Sequence, residues 1–249
     1  MWLHIGQSAL YGDISRYAQR FNLLELRAEP GRLPKTATLN RWLASVPAGF
    51  RFSVMLPRAV GSLVPGEAHE AALGYALERA RALEAAWLVL QTPASVMPGA
   101  RSPRRLAELV ERLAGSWRIA WEPRGLWEDD EAEQLAKSLG VHLVRDLTRC
   151  EPPAAQVLYT RLLALGEAAE LRGAAIEALA ERLVGSSEAW VVVEGRGAGR
   201  AARMLRELNG DEAEDGEGRD EAGDGGYVAW NGAADGTRGD EPTDPDDPD

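Results

Sequence analysis

Cysteine is nearly absent: Cys150 is the single one in 249 residues. No internal disulfide can form, and the chain reads as one suited to a reducing compartment. Cys150 has no matching histidine and reads as an inert thiol rather than a nucleophile. Histidine is almost as scarce. His4, His69 and His142 are the whole supply. His4 and His142 fall early in strand-like runs and His69 on a helix expected to be superficial. None lies in an HxH, HExxH or CxxC spacing, so a dedicated transition-metal site is not expected. Long apolar runs are missing too, since no stretch approaches the roughly 20 residues a membrane span requires. Met1-Trp2-Leu3-His4 enters an apolar run without the basic region and long hydrophobic segment of a secretory signal. A cytoplasmic location is the expectation. No P-loop or GxSxG elbow is present, and no motif names a cofactor.

Charge is present in both signs but unevenly placed. The formal net charge is -11, yet residues 211–249 hold 15 acids against Arg219 and Arg238, a net of -13. Residues 1–210 therefore carry 24 acids and 26 bases, a net of +2. The Asp-, Glu-, Gly- and Pro-rich segment 211–249 cannot bury enough apolar surface to offset its ordering entropy and is expected to be a disordered acidic tail. Tyr227-Val228-Ala229-Trp230 is a small apolar island within it, either incidental or a docking motif. Residues 1–210 form the folded domain. A nearly neutral domain with an acidic tail argues against nucleic-acid binding.

Short apolar runs that read as buried parallel strands recur eight times, at 2–6, 23–27, 52–56, 87–91, 119–122, 141–146, 157–163 and 190–194. Segments with helical periodicity follow most of them, at 14–21, 38–46, 67–85, 103–114, 131–139, 167–183 and 198–208. Asp13 suits a helix cap and Gly140 a helix terminus. Only about ten residues, including Pro152-Pro153, separate the sixth strand from the seventh, so the sixth helix is expected to be missing or reduced to a turn. Eight strand-then-helix units fit a TIM-like (β/α)8 barrel better than an open doubly wound sheet, because eight strands close and no unit carries a dinucleotide fingerprint.

In such a barrel a site is built at the carboxyl ends of the strands. Those ends carry Glu25 and Arg27, Arg58, Gln91, Glu122 and Arg124, Asp146, and Glu194, while Arg161 interrupts the seventh run. The two-residue period of a strand puts Glu25 with Arg27, and Glu122 with Arg124, on one face. Glu25 and Glu122 are the candidates for acid and base. Arg58, Gln91, Arg124, Asp146, Arg161 and Arg196 are the candidates for holding a ligand. An ion-pair lattice filling the polar end of the core accounts for the same charges equally well. The loop Gly195-Arg196-Gly197-Ala198-Gly199-Arg200 has arginine where a dinucleotide fingerprint needs its last glycine. It suits an anion at a helix start, or a plain flexible turn.

The residues also resemble a known family. Ile5-Gly6-Gln7-Ser8, then Tyr17-Ala18 with Phe21-Asn22-Leu23-Leu24-Glu25-Leu26, are similar to an opening strand and a "YA..FN.VE" passage. Trp42, Pro47-Ala48-Gly49-Phe50-Arg51-Phe52-Ser53-Val54 and Pro57-Arg58 resemble "W....P.GF.F.V..PR". Gln91-Thr92-Pro93, Trp121-Glu122-Pro123-Arg124 and Tyr159-Thr160-Arg161-Leu162 follow in the same order. These are motifs of the YecE-like proteins of unknown function, and the resemblance implies a TIM-like barrel over most of residues 5–208. Against the family pattern, Met55 stands where a lysine is usual. Arg27-Ala28-Glu29-Pro30-Gly31 replaces "NSTFY", Leu163 and Ala164 replace a histidine and a glycine, and Glu194 and Gly195 replace asparagines. Two uses follow: a mouth that binds or converts a small anionic or polyhydroxylated ligand (a sugar or phosphate), or a catalytically inactive binding or scaffold module whose acidic tail recruits a basic partner.

Overall fold

The computed structural model describes residues 1–163, 171–195 and 197–210. Its eight strands are β1 (Trp2–Gln7), β2 (Leu23–Arg27), β3 (Arg51–Met55), β4 (Trp87–Thr92), β5 (Arg118–Pro123), β6 (His142–Leu143), β7 (Val157–Leu163) and β8 (Glu188–Glu194). All pair in parallel in the order β6-β5-β4-β3-β2-β1-β8-β7. The ring is nearly closed: β6 and β7 meet through a bridge from Arg145 to Thr160 and an Arg161 N–H donated to the Arg145 carbonyl at 3.3 Å. Parallel strands need long crossovers, supplied here by helices α1 (Ile14–Ala18), α2 (Thr36–Ser45), α3 (Arg58–Gly61), α4 (Glu67–Ala82), α5 (Arg101–Leu113), α6 (Asp129–Leu139), α7 (Gly173–Leu183) and α8 (Ala198–Leu208). The fold is a TIM-like (β/α)8 barrel. Among the described residues no helix separates β6 from β7, and none is long and apolar enough to cross a membrane.

Local chemistry accounts for the element ends. The Asp13 carboxylate accepts from the Ser15 and Arg16 N–H groups and starts α1. Gly140 ends α6 in the left-handed conformation at φ 66°. The structure differs from the sequence reading at several points, among them α3, which the sequence did not suggest, and α7, which starts at Gly173. α1 is five residues long rather than eight. Only two residues of the sixth apolar run pair as β6, because the Asp146 side chain accepts from the Thr148 N–H and hydroxyl and turns the chain out of the ladder. His69 is buried rather than superficial: it begins the stripe His69, Ala72, Leu73, Ala76 and Ala80 that α4 presses inward.

Two apolar layers follow from the strand period. One side of the strands packs Leu24, Leu26, Val54, Leu88, Leu90 and Val191 against the helices. The other fills the barrel with Leu23, Met55, Trp87, Val89, Ala120, Val144, Tyr159, Trp190 and Val192. At the amino-terminal end, the Arg118 guanidinium lies 4.1 Å from the Trp87 ring centroid and donates to Glu188 at 2.9 Å. His4 packs on Trp190 with ring centroids 4.1 Å apart, and His142 meets Trp87 at 4.8 Å.

Burial pushes both His4 and His142 below the ordinary histidine value of 6.5, outweighing Glu188 at His4 and the Val157 carbonyl at His142. The unfolded chain takes up these protons more readily than the fold, so folding stability should fall as the pH drops below 6.5. Denaturant titrations across that range test this. A His4→Gln/His142→Gln variant should show a shallower acid decline, and an unchanged decline would exclude these two histidines as its source.

Candidate functional site

Four strand ends meet at Arg161. It projects from β7 into the barrel and is 1% exposed. Its Nε donates to Glu122 Oε2 on β5 at 2.9 Å, its Nη1 to Glu194 Oε1 on β8 at 2.9 Å, and its Nη2 to Glu25 Oε1 on β2 at 2.5 Å. Burial works against this charge, but Glu25, Glu122 and Glu194 outweigh it and raise the guanidinium well above its ordinary value. The second oxygens of Glu25 and Glu122 are also engaged. Tyr159 donates its hydroxyl to Glu25 Oε2 at 2.7 Å. Burial, and then Glu25, push that phenol well above 10, so it remains a donor. Glu122 Oε2 also accepts from Gln91 Nε2 at 3.1 Å, and Glu122 Oε1 pairs with Arg124 at 2.6 Å. This network forms a polar floor across the carboxyl end of the barrel.

On that floor opens a cavity of about 860 Å³, lined by Arg27, Glu29, Pro30, Arg32, Arg58, Ser62, Gln91, Pro93, Ala94, Ser95 and Arg124. Four arginines therefore line it with one glutamate, and that carboxylate is occupied: Glu29 Oε1 accepts the Arg58 backbone N–H at 2.9 Å. Gln91 is held at both ends of its amide, since its Oε1 accepts from Arg27 at 3.2 Å while its Nε2 donates to Glu122. Gly61 lets α3 approach this point. A Cβ there would stand 2.1 Å from the Gln91 carbonyl oxygen, a separation no side chain tolerates. A smaller cavity of about 210 Å³ lies between β5 and β7, lined by Glu122, Arg124, Asp146, Cys150 and Arg161 among others. Burial raises the Cys150 thiol above its ordinary value, which disfavours the reactive thiolate. Among the described residues no group of three or more His, Cys, Asp or Glu side chains is placed to hold a metal.

The family model described as "Protein of unknown function DUF72" matches residues 8–220. The chain belongs to the DUF72 family. No curated protein matches the sequence. A DUF72 protein of Enterococcus faecalis superposes with a TM-score of 0.68 at 14% identity, covering 86% of this chain and 97% of the other. One from Thermotoga maritima gives 0.62 at 18% identity, covering 85% and 99%. A D-psicose 3-epimerase, crystallised with D-fructose, gives 0.53 at 14% identity, covering 86% and 93%. At these identities the likeness is one of fold.

Placed on this DUF72 barrel, the sequence candidates fall into distinct groups. Arg58, Gln91 and Arg124 line the larger cavity. Glu122 and Arg161 lie in the floor, and together with Asp146 and Arg124 they line the smaller cavity. Glu25 is sealed beneath at 1% exposure. Asp146 is spent on the turn after β6, accepting from Thr148 and from the Leu163 N–H at 3.2 Å. Arg196 and the tail 211–249 lie outside the described residues. The sequence reading places Arg27 and Glu194 at strand ends without a ligand role, and gives Glu29, Arg32 and Tyr159 no place in the site. Arg27 and Tyr159 share faces with Glu25 and Arg161 by the two-residue period and were open to discovery, whereas Glu29 and Arg32 sit in a loop with no period to place them.

Proposed function

We propose that this barrel binds a small, multiply anionic and polyhydroxylated metabolite, of the sugar-phosphate class, in the cavity at the carboxyl ends of its strands. The observation that carries the reading is the set of four arginines, Arg27, Arg32, Arg58 and Arg124, lining about 860 Å³ with Glu29 the one acidic residue among the lining residues. The volume suits a small molecule, and guanidiniums in a partly enclosed site bind phosphate or carboxylate through paired charge-assisted hydrogen bonds. The D-psicose 3-epimerase crystallised with D-fructose lends the sugar half of the reading an analogy of fold.

Binding is better supported than conversion by Glu25 and Glu122. Each oxygen of both carboxylates already accepts from Tyr159, Arg161, Gln91 or Arg124. A general acid or base needs to reach its substrate proton, so we assign these two carboxylates to the floor.

Thermal-shift titrations with inorganic phosphate and a hexose monophosphate test the proposal. Stabilisation is expected with the wild type. Arg58→Gln, which keeps the backbone N–H that Glu29 accepts, should bind about ten-fold more weakly, a loss of roughly 1.4 kcal/mol. A wild type indifferent to every anion tried would remove the reading.

A further inference from the structure

The cations of the larger cavity stand at two separate ends. Arg27 closes β2, Arg32 follows in the loop to α2, and Arg58 follows β3; Arg124 stands alone just past β5. Between the two strand ends the lining is Gln91 at the end of β4, whose Oε1 accepts from Arg27 at 3.2 Å and whose Nε2 donates to the Glu122 carboxylate at 3.1 Å, with Pro93, Ala94 and Ser95 beyond it. The four strands are neighbours in the order β5-β4-β3-β2. At about 4.8 Å per strand, the backbone at Arg124 is roughly 10 Å along the rim from that at Arg58 and roughly 14 Å from that at Arg27. Arg124 is tethered to Glu122 at 2.6 Å and Arg27 to Gln91 at 3.2 Å, so neither end is free to swing to the other without breaking a bond of the floor. One phosphate, reaching roughly 3 Å to each donor, contacts one end only.

Building on the anion-binding reading above, we infer that the mouth takes a single elongated ligand with an acid group at each end: a polyol phosphorylated at both termini, or one bearing a phosphate and a carboxylate. The three-arginine end receives the more highly charged group and Arg124 the other. The middle of the ligand lies over Gln91. That amide has committed its oxygen to Arg27 and one N–H to Glu122, which leaves its second N–H to donate to a hydroxyl or carbonyl of the ligand.

Calorimetric titration of the full-length chain with inorganic phosphate, a hexose monophosphate and a hexose phosphorylated at both ends tests this. The doubly phosphorylated sugar should bind at least about ten-fold more tightly than the monophosphate. In Arg124→Gln that preference should fall to within about three-fold, the doubly phosphorylated sugar losing more affinity than the monophosphate, while Arg124→Lys, which keeps the charge beside Glu122, should recover part of it. In Arg58→Gln both sugars should weaken. Melting curves of each variant confirm that it is folded. Equal wild-type affinities for the two sugars would overturn the two-ended ligand and leave anion binding standing, whereas no heat with any of the three would overturn both. Tighter binding of a short single-stranded oligonucleotide than of the doubly phosphorylated sugar would also overturn the inference.

Discussion

An Arg161→Met variant is expected to lose about 3–5 kcal/mol of folding stability, the range for removing one partner from a buried ion pair. Methionine matches the length of the arginine stem and is apolar, so the loss isolates the charge rather than a void. Glu25 and Glu122, at 1% and 6% exposure, would keep their burial and lose their principal counter-charge. Glu194 would lose least, because its side chain is 36% exposed and can turn to water. Urea denaturation of the two proteins measures the difference. Adding Glu25→Gln to Arg161→Met should restore part of the stability, since it removes one stranded carboxylate, and a double-mutant cycle would show strong coupling. A loss below about 1 kcal/mol would show that the carboxylates find water or other partners, and that the floor is not built on Arg161.

Trp87→Ala is expected to cost a similar amount, about 3–5 kcal/mol, for a different reason. Trp87 is fully buried in the barrel interior, with its ring 5.4 Å from Tyr159, 5.7 Å from Trp190 and 4.8 Å from His142 between centroids. The ring of strands cannot collapse to fill the space, because β4, which carries Trp87, is paired with β3 on one side and β5 on the other, so the cavity persists. Tyr159 rests on this ring and carries Glu25 above it, but the guanidiniums of the mouth stand on other residues. Anion affinity, measured where the variant is fully folded, should therefore remain within about two-fold of wild type. A large affinity loss would mean that packing at the amino-terminal end sets the mouth, contrary to the separation of the two ends.

How far the sequence could be read depended on whether a feature is local. Parallel strands buried on both faces appear as uninterrupted apolar runs, which is why eight could be counted and the barrel inferred. Pro152-Pro153 and a short connection likewise made the loss of the sixth helix legible. α3 was not, because four residues, Arg58–Gly61, are too few to show a period. β6 looked longer than it is because Val144 continues the apolar run while Asp146 ends the ladder through its side chain.

For the site, the two-residue period showed which charges share a face, and Glu122 with Arg124 do pair, at 2.6 Å. What no period reveals is which charge answers which across the barrel. Arg161 finds Glu25 at a separation of 136 residues and Glu122 at 39. These partners are set by closure of the ring, so the same charges could not be divided into floor and mouth beforehand. Arg32, exposed in the β2–α2 loop, enters the cavity only because that loop folds over the β2 and β3 ends.

The division between floor and mouth bears on how such a chain can change over generations. The floor draws on β2, β5, β7 and β8 at once, so a substitution at Arg161 must be answered at Glu25, Glu122 or Glu194 before the barrel is sound again. Arg32 and Arg58 have no side-chain bond to that floor. Drift at these two positions can alter the charge of the mouth while the fold is inherited intact, so one architecture can carry mouths of different chemistry.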